Sequence, residues 1–255
     1  MRLLLASDLH SLPRAFEQFT ETLKRYDAGI IAGDIVDEYV PDHELIEKLH
    51  LSPDDFLDEL PAPDETAEDL MKRWKESKQA ENLHRGLLIK EQEAKDLFNT
   101  AGKLVLVVPG NHDATDWATD RNVINIHMKR LVVDGTPFVG YGCLDGGLEP
   151  ERQMRLLRRV KRLIDHDTIL VTHIPPYSIR DFDDYKVSFG SKALTKLVAK
   201  RKPRYHVFGH THSAFGVTGN SINACYPRSS AFFGLDTGTG ETWLEKQEDL
   251  GGPKR

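Results

Sequence analysis

Cysteine is nearly absent from this sequence, and its two cysteines, Cys143 and Cys225, lie far apart and outside any Cys-x-x-Cys spacing. Neither a disulfide framework nor a thiolate zinc site is indicated. Long apolar runs are lacking as well. The first run, residues 3–6, ends at Ser7-Asp8 and is too short for a signal peptide, and no other run is long enough for a membrane span. We therefore expect an unprocessed cytoplasmic protein with no membrane partner.

An excess of positive charge is also lacking. The formal net charge is −6 and the isoelectric point is near 6.0, so the chain as a whole offers no electrostatic footprint for nucleic acid. We expect no general nucleic-acid binding. Apolar residues, in contrast, make up 39% of the 255 residues, which is enough for a sizeable core.

Five short apolar runs predict buried β-strands. Continuous apolar character over four or five residues is typical of strands that are covered on both faces. Amphipathic helices are predicted over residues 12–26, with Ser11 as the cap, and over 149–164 and 191–199. A hairpin turn is predicted at 237–240. The runs are residues 3–6, 29–32, 104–108, 168–171 and 205–208.

Residues 41–102 depart from this alternation of strands and helices. The segment is rich in Asp, Glu and Lys, contains Pro53, Pro61 and Pro63, and has no strand-like run. It is predicted to be a helical insertion of two or more helices within a single domain spanning residues 1–255. A lid beside the site, a dimer contact and a peripheral decoration all fit this segment, and the oligomeric state stays open.

Polar residues of the kinds that bind metals follow all five apolar runs. The carboxyl ends of strands form the ligand-binding edge of an open α/β sheet, so these residues are expected to converge. Five of the 11 histidines fall in these positions. One such motif arises often by chance, but five together indicate one site. The motifs are Asp8-Leu9-His10, Gly33-Asp34, Gly110-Asn111-His112-Asp113, His173 and Gly209-His210-Thr211-His212.

The donor atoms in these motifs suit two transition-metal ions. Three carboxylate or amide oxygens and four imidazoles, with no thiolate, fit Mn, Fe, Co or Zn. Two such ions about 3.5–4 Å apart share a carboxylate, hold a hydroxide nucleophile and neutralise phosphoryl oxygens during in-line displacement. We expect two divalent ions, with manganese first and Fe, Zn or Co as alternatives, and hydrolysis of a phosphate ester.

With the block Gly33-Asp34-Ile35-Val36-Asp37 included, this set of motifs resembles that of the calcineurin-like metallophosphoesterase superfamily. All the blocks occur in the family order, from Asp8 to His212. The resemblance implies an α/β fold, a four-layer α/β/β/α sandwich of two mixed β-sheets flanked by helices. It does not cover the insertion at 41–102.

The resemblance also implies a role for each residue. The first ion would be held by Asp8, His10 and His212, the second by Asn111, His173 and His210, and Asp34 would bridge the two. His112 would be the general acid for the leaving oxygen, and Asp37 would orient its ring. Asp113, to which the family gives a supporting role, is left out of the site.

These roles predict a dinuclear metal-dependent phosphoesterase that acts on a phosphodiester or phosphomonoester bond of a small substrate. Two alternatives are an inactive scaffold with the same fold and a nuclease. The scaffold is disfavoured because no ligand position is missing. The nuclease is disfavoured because the sequence shows neither a capping domain nor a basic track.

Overall fold

The protein folds into two six-stranded β-sheets. The computed structural model describes residues 1–36, 91–113, 117, 119–142, 150–226 and 230–245, with the backbone alone at 150–154. The first sheet contains β1 (Arg2–Ala6), β2 (Ala28–Ala32), β3 (Leu104–Val108), β4 (Val123–Asn125), β11 (Phe232–Asp236) and β12 (Thr242–Glu245). The second contains β5 (Arg130–Val133), β6 (Thr136–Tyr141), β7 (Ile169–Thr172), β8 (Tyr205–Phe208), β9 (Gly216–Thr218) and β10 (Ser221–Asn223).

Both sheets are mixed. In the first, β1, β2, β3 and β4 run parallel in that order, while β11 pairs antiparallel with β1 and β12 pairs antiparallel with β11. In the second, β6, β7, β8 and β10 are parallel neighbours, and β5 and β9 add antiparallel edges. The parallel strands bring their carboxyl ends to a common edge.

Helices cover the outer face of each sheet, which gives the expected four layers. The helices are α1 (Pro13–Leu23), α2 (Glu91–Thr100), α3 (Pro150–Lys161) and α4 (Lys192–Arg201). Along β1, Leu4 packs with the core under α1 and α2, while Leu3 and Leu5 pack between the sheets. A third core lies between the second sheet, α3 and α4. Strands buried on both faces explain the continuous apolar runs.

The five predicted strands all form, each within one residue of the expected ends. The predicted capping role of Ser11 is wrong. Helix α1 begins with Pro13 after Leu12, which makes no side-chain cap, and Ser11 has a left-handed backbone (φ 54) while its N–H donates to Ile35 O. Contacts with the loop after β2, rather than the helix end, therefore fix the conformation of Ser11.

Of the insertion at 41–102, the described part is 91–102, where α2 forms. Phe98 of α2 packs against α1, with its ring 5.3 Å from that of Phe16 and 5.7 Å from that of Phe19. The rest of the insertion and Asp37 lie outside the described residues. Within the described ranges, no helix is both long and apolar enough to cross a membrane.

Candidate metal centre

Seven polar side chains from five loops meet at the carboxyl ends of β1, β2, β3, β7 and β8. Six of them form two groups in which the donor atoms lie within 4.8 Å of one another. Each group takes residues from both sheets, so the centre lies where the two sheets meet. The first group is Asp8, His10 and His212, and the second is Asp34, His173 and His210.

The donor atoms are spaced as ligands of one ion would be. In the first group, His212 Nε2 lies 3.2 Å from both His10 Nε2 and Asp8 Oδ1. In the second, His173 Nε2 lies 3.1 Å from His210 Nδ1 and 2.9 Å from Asn111 Oδ1. Donors bound at about 2.0–2.2 Å to one ion are roughly 3.0–3.6 Å apart. The residues therefore fit two metal ions, and Asn111 joins the second group.

Asp34, a member of the second group, also lies near the first. Its Oδ2 is 3.3 Å from His173 Nε2 and 3.9 Å from His10 Nε2. A carboxylate in that position reaches both ligand sets, as a bridging ligand must.

The hydrogen bond on the far side of His173 fixes its tautomer. Nδ1 lies 2.9 Å from Ala32 O, and a carbonyl oxygen only accepts, so Nδ1 carries a hydrogen. Nε2 then faces Asn111 and Asp34. A backbone carbonyl that holds the ring in this way is the usual partner of a metal-binding histidine.

Buried negative charge is concentrated at this centre. Burial opposes ionisation, but His212 holds the pKa of Asp8 below its usual value and His173 does so for Asp34. Burial also disfavours a charged His173, yet Asp34 and Asp8 outweigh it and raise its pKa to about 9. Burial lowers the pKa of His210 to about 4. A cation at this centre would take over the neutralising role of the His173 proton.

The backbone at the centre is in an unusual conformation. Asp8 (φ 60), His10 (φ 46), Asp34 (φ 48) and His210 (φ 70) are non-glycine residues in the left-handed region. Such residues persist where surrounding contacts hold them, and they cluster at functional sites. Here backbone bonds between loops hold them, including Asp8 N–H to Gly33 O and His10 N–H to Asp34 O.

Glycine precedes three of the ligand residues, and at Gly110 and Gly209 the reason is steric. A Cβ at Gly110 would overlap the Asp34 carboxylate, and one at Gly209 would overlap Ser7 Oγ and Asp8 Oδ2. The Gly-Asn and Gly-His pairs in the sequence are therefore places where two loops touch.

His112 lies beside the two groups and belongs to neither. Its N–H donates to Asp34 Oδ1 at 2.9 Å, and its ring lies 5.2 Å from the ring of His10. It is partly exposed, as are Asn111, His210 and His212, whereas Asp8, His10, Asp34 and His173 are buried. The centre therefore opens to solvent on the side where His112 stands.

Two functional residues were missed at the sequence level. The buried Asp113 carboxylate accepts the N–H groups of Gly110, Ile35 and Val36 at 2.8–2.9 Å, and it ties the loop of Asn111 to that of Asp34. Burial and the charge of Asp34 raise its pKa to about 7. Its position in the Gly-Asn-His-Asp block is the sequence feature that could have identified it.

Cys225 is the second missed residue. Its Sγ donates to Asp8 Oδ2 at 2.9 Å, and the backbone N–H of His210 donates to the same carboxylate. Cys225 follows β10, and backbone hydrogen bonds of Ser7 with Ala224 and Tyr226 bring it next to the end of β1. No sequence motif around Cys225 predicts its contact with Asp8.

Comparisons with known proteins give a family match and partial similarity to two relatives. The sequence profile described as calcineurin-like phosphoesterase matches residues 1–214. Two UPF0046 proteins of Caenorhabditis elegans are similar to parts of the chain. One is 34% identical over 103 residues, which are 39% of this chain and 35% of that protein. The other is 35% identical over 75 residues, 28% of this chain and 27% of that protein. The chain thus spans about a third or less of these curated relatives.

Solved structures resemble the whole chain at low sequence identity. One crystal structure has a TM-score of 0.63 and 17% identity, with 96% of this chain and 98% of the other covered. The protein TT1561 of Thermus thermophilus has a TM-score of 0.54 and 14% identity, with 95% and 97% covered. At these identities the likeness shows the fold alone.

Proposed function

The chain belongs to the calcineurin-like phosphoesterase family, and from that membership we propose that it is a hydrolase that cuts a phosphodiester or phosphomonoester bond of a small substrate with two divalent metal ions bound. The observation that carries the proposal is the pair of donor groups, with Asp34 of the second group within 3.9 Å of His10 in the first. A complete set of ligands also disfavours the inactive scaffold.

The donor set defines which residues would hold each ion. The first ion would be held by Asp8, His10 and His212, the second by Asn111, His173 and His210, and both by Asp34. Imidazole and carboxylate donors favour Mn, with Fe, Zn or Co as alternatives. Bound there, the ions would supply positive charge for the phosphoryl oxygens and lower the pKa of water.

The chain's own residues supply orientation and a proton. Asp34 accepts the backbone N–H of His112 and so fixes that loop next to the metal centre. The partly exposed His112 ring stands at the open side, where it would donate a proton to the leaving oxygen. Asp37, which would orient that ring, lies outside the described residues.

Metal content and turnover of one variant test the proposal. Asp34→Asn removes the negative charge that both ions would share. The affinity for both ions should therefore fall together, and hydrolysis of bis-(p-nitrophenyl) phosphate should fall with it. Asp134→Asn, at an exposed turn position, is the matched control. Two metals retained per chain after dialysis of Asp34→Asn would contradict the bridge. A wild-type protein that is loaded with manganese and hydrolyses no phosphate ester would establish the scaffold instead.

A further inference from the structure

The positive charge of this acidic protein is concentrated on two helices. Residues 155–164, in and after α3, contain five Lys or Arg, and residues 191–204, around α4, contain six, out of 34 in the whole chain. Neither stretch contains an Asp or Glu. The formal net charge of −6 therefore hides a strongly basic region.

The packing of α3 and α4 turns these cations outward onto one surface. Leu157 and Val160 of α3 share a buried cluster with Leu194 and Leu197 of α4, so the apolar sides of both helices face the sheet. We call the exposed cations of this region the basic face. They are Arg155, Arg158, Arg159, Arg162, Lys192, Lys196, Lys200, Lys202 and Arg204.

Like charges on and beside the basic face lie close enough to disturb one another. Lys200, and to a smaller extent burial and Arg201, lower the pKa of Lys161. Two described carboxylates follow α3. Asp165 is paired with Arg130 at 2.8 Å and accepts from the Thr168 hydroxyl, and Asp167 lies 3.4 Å from His166 Nε2. A polyanion on the basic face would relieve this repulsion.

An ordered loop with exposed aromatic rings lies at one end of the basic face. Among the described residues, five of the seven exposed large apolar side chains lie within 177–189, which we call the aromatic loop. Asp181 anchors it, because this carboxylate is fully buried and accepts from the Ser188 hydroxyl. The five residues are Tyr177, Phe182, Tyr185, Val187 and Phe189.

The aromatic loop connects the basic face to the metal centre. At one end, Lys192 Nζ of α4 lies 5.0 Å from the centre of the Tyr177 ring. At the other, the Phe189 ring lies 5.7 Å from the ring of His210. Cations, aromatic rings and the two donor groups thus follow one another along the surface.

We infer that the basic face and the aromatic loop bind single-stranded nucleic acid, with phosphates on the helices and bases against the aromatic rings. A positive track with adjacent exposed aromatics is the combination that single-stranded nucleic-acid sites use. A membrane fits less well, because surface helices that insert need an exposed apolar side. Among the side chains that the structure describes on α3 (residues 155–161) and on α4, none is an exposed large apolar residue. The inference concerns binding and does not depend on the proposed hydrolysis.

Binding of a fluorescent oligothymidylate, measured by anisotropy in EDTA at several salt concentrations, tests the inference. The affinity should fall with salt by about 0.7 in log–log slope for each phosphate contact. Lys196→Glu with Lys200→Glu should weaken binding at low salt about tenfold or more and reduce the slope by about 1.4. The control is Lys24→Glu with Arg121→Glu, two exposed positions away from the basic face. It gives the same net charge and should change neither the affinity nor the salt slope.

A second pair of variants tests the aromatic loop. Phe182→Ala with Tyr185→Ala should lower the affinity by about tenfold or more while the salt slope stays constant, because stacking involves no counterions. No binding by the wild-type protein, or an equal loss in the charge-matched control, would overturn the inference. Equal competition by polyglutamate, or capture by phosphatidylserine vesicles without oligonucleotide binding, would do so as well. Hydrolysis of bis-(p-nitrophenyl) phosphate is measured separately, so failure of either proposal is recognised by itself.

Discussion

Cys225 contacts the metal centre through the carboxylate of Asp8. Its thiol donates to a fully buried carboxylate that belongs to the first donor group. Partners that orient a metal ligand change metal affinity by about 10- to 100-fold when they are lost.

We therefore expect Cys225→Ala to bind the metal of the first group about tenfold more weakly than wild type. Cys225→Ser keeps a donor at the same position and should stay closer to wild type. Titration against a competing chelator measures both affinities. Equal weakening in the two variants would show that the thiol fills space rather than orients Asp8.

His112 stands beside the metal centre without joining either donor group, so its loss should separate catalysis from metal binding. We expect His112→Ala to keep both metals and to lose about a hundredfold or more in kcat, the scale of lost general acid catalysis. His166→Ala, an exposed histidine, is the control. Unchanged kcat on bis-(p-nitrophenyl) phosphate would remove the proposed role.

His206 is buried and neutral, and this makes the fold sensitive to acid. Thr172 Oγ1 donates to Ile174 O and so accepts from His206 Nε2–H, while Nδ1 has no partner among the described residues. Burial lowers the pKa of His206 to about 3. The unfolded chain, with a pKa near 6.5, therefore binds the proton more readily than the folded protein.

His206 consequently contributes stability above pH 6.5 that is lost as the pH falls toward 3, by about 1.4 kcal/mol per pH unit. Between pH 7 and pH 5 this is about 2 kcal/mol. We expect His206→Gln, which does not titrate, to lose less of its unfolding free energy than wild type by about this amount. Urea unfolding of both proteins in EDTA at pH 7 and pH 5 measures this difference. If both proteins lose the same unfolding free energy, protonation of His206 does not destabilise the fold.

At the scale of elements, the loops after β2 and β3 are held together by one side chain. Asp113→Ala would leave the N–H groups of Gly110, Ile35 and Val36 without an acceptor in a buried place. Each unsatisfied donor costs about 1–3 kcal/mol. We expect the unfolding free energy to fall by about 3 kcal/mol or more, and metal content to fall with it. Asp113→Asn keeps one acceptor oxygen and should lose less in denaturant unfolding.

The elements that the sequence predicts are those whose signal is local. Strands such as β1 and β3 are apolar on both faces, so a short run of sequence is enough to identify them. Strands β4, β5 and β6 were not predicted, because β4 has only three residues, β5 alternates in exposure and β6 contains Pro137 and Gly140, so none is a continuous apolar run. The cap at Ser11 failed because Ile35 decides its conformation.

The candidate site also contains residues that local sequence predicts and residues that it does not. The donor residues can be predicted because each follows a strand, and glycine precedes Asp34, Asn111 and His210. Cys225 cannot be predicted, because backbone pairing of Ser7 with residues more than 200 positions away in the sequence brings it to Asp8. The basic face was missed because net charge is an average, whereas packing of α3 on α4 decides where the cations point.

At the scale of the whole molecule, each donor group contains side chains from both sheets. A bound ion would therefore hold the two sheets together, and removing it should weaken the entire fold. An ion present at 100 times its Kd contributes about 2.7 kcal/mol.

We therefore expect EDTA to lower the Tm of the wild-type protein, and to lower that of Asp34→Asn much less. Calorimetry with and without chelator measures both. An unchanged wild-type Tm would mean that the sheets dock equally well without metal.

The pairing of β1 with β11 has a consequence for how the protein is made. Leu5 on β1 meets Phe233 on β11, so β1 is synthesised long before the partner strand for which it must wait. At about 5–20 residues per second, that wait lasts roughly 10–45 s. For all of that time β1 has an open edge, and Asp8 lacks Cys225. During that interval the nascent chain has an unpaired strand edge, a feature that favours aggregation, next to the loop that carries Asp8 and His10.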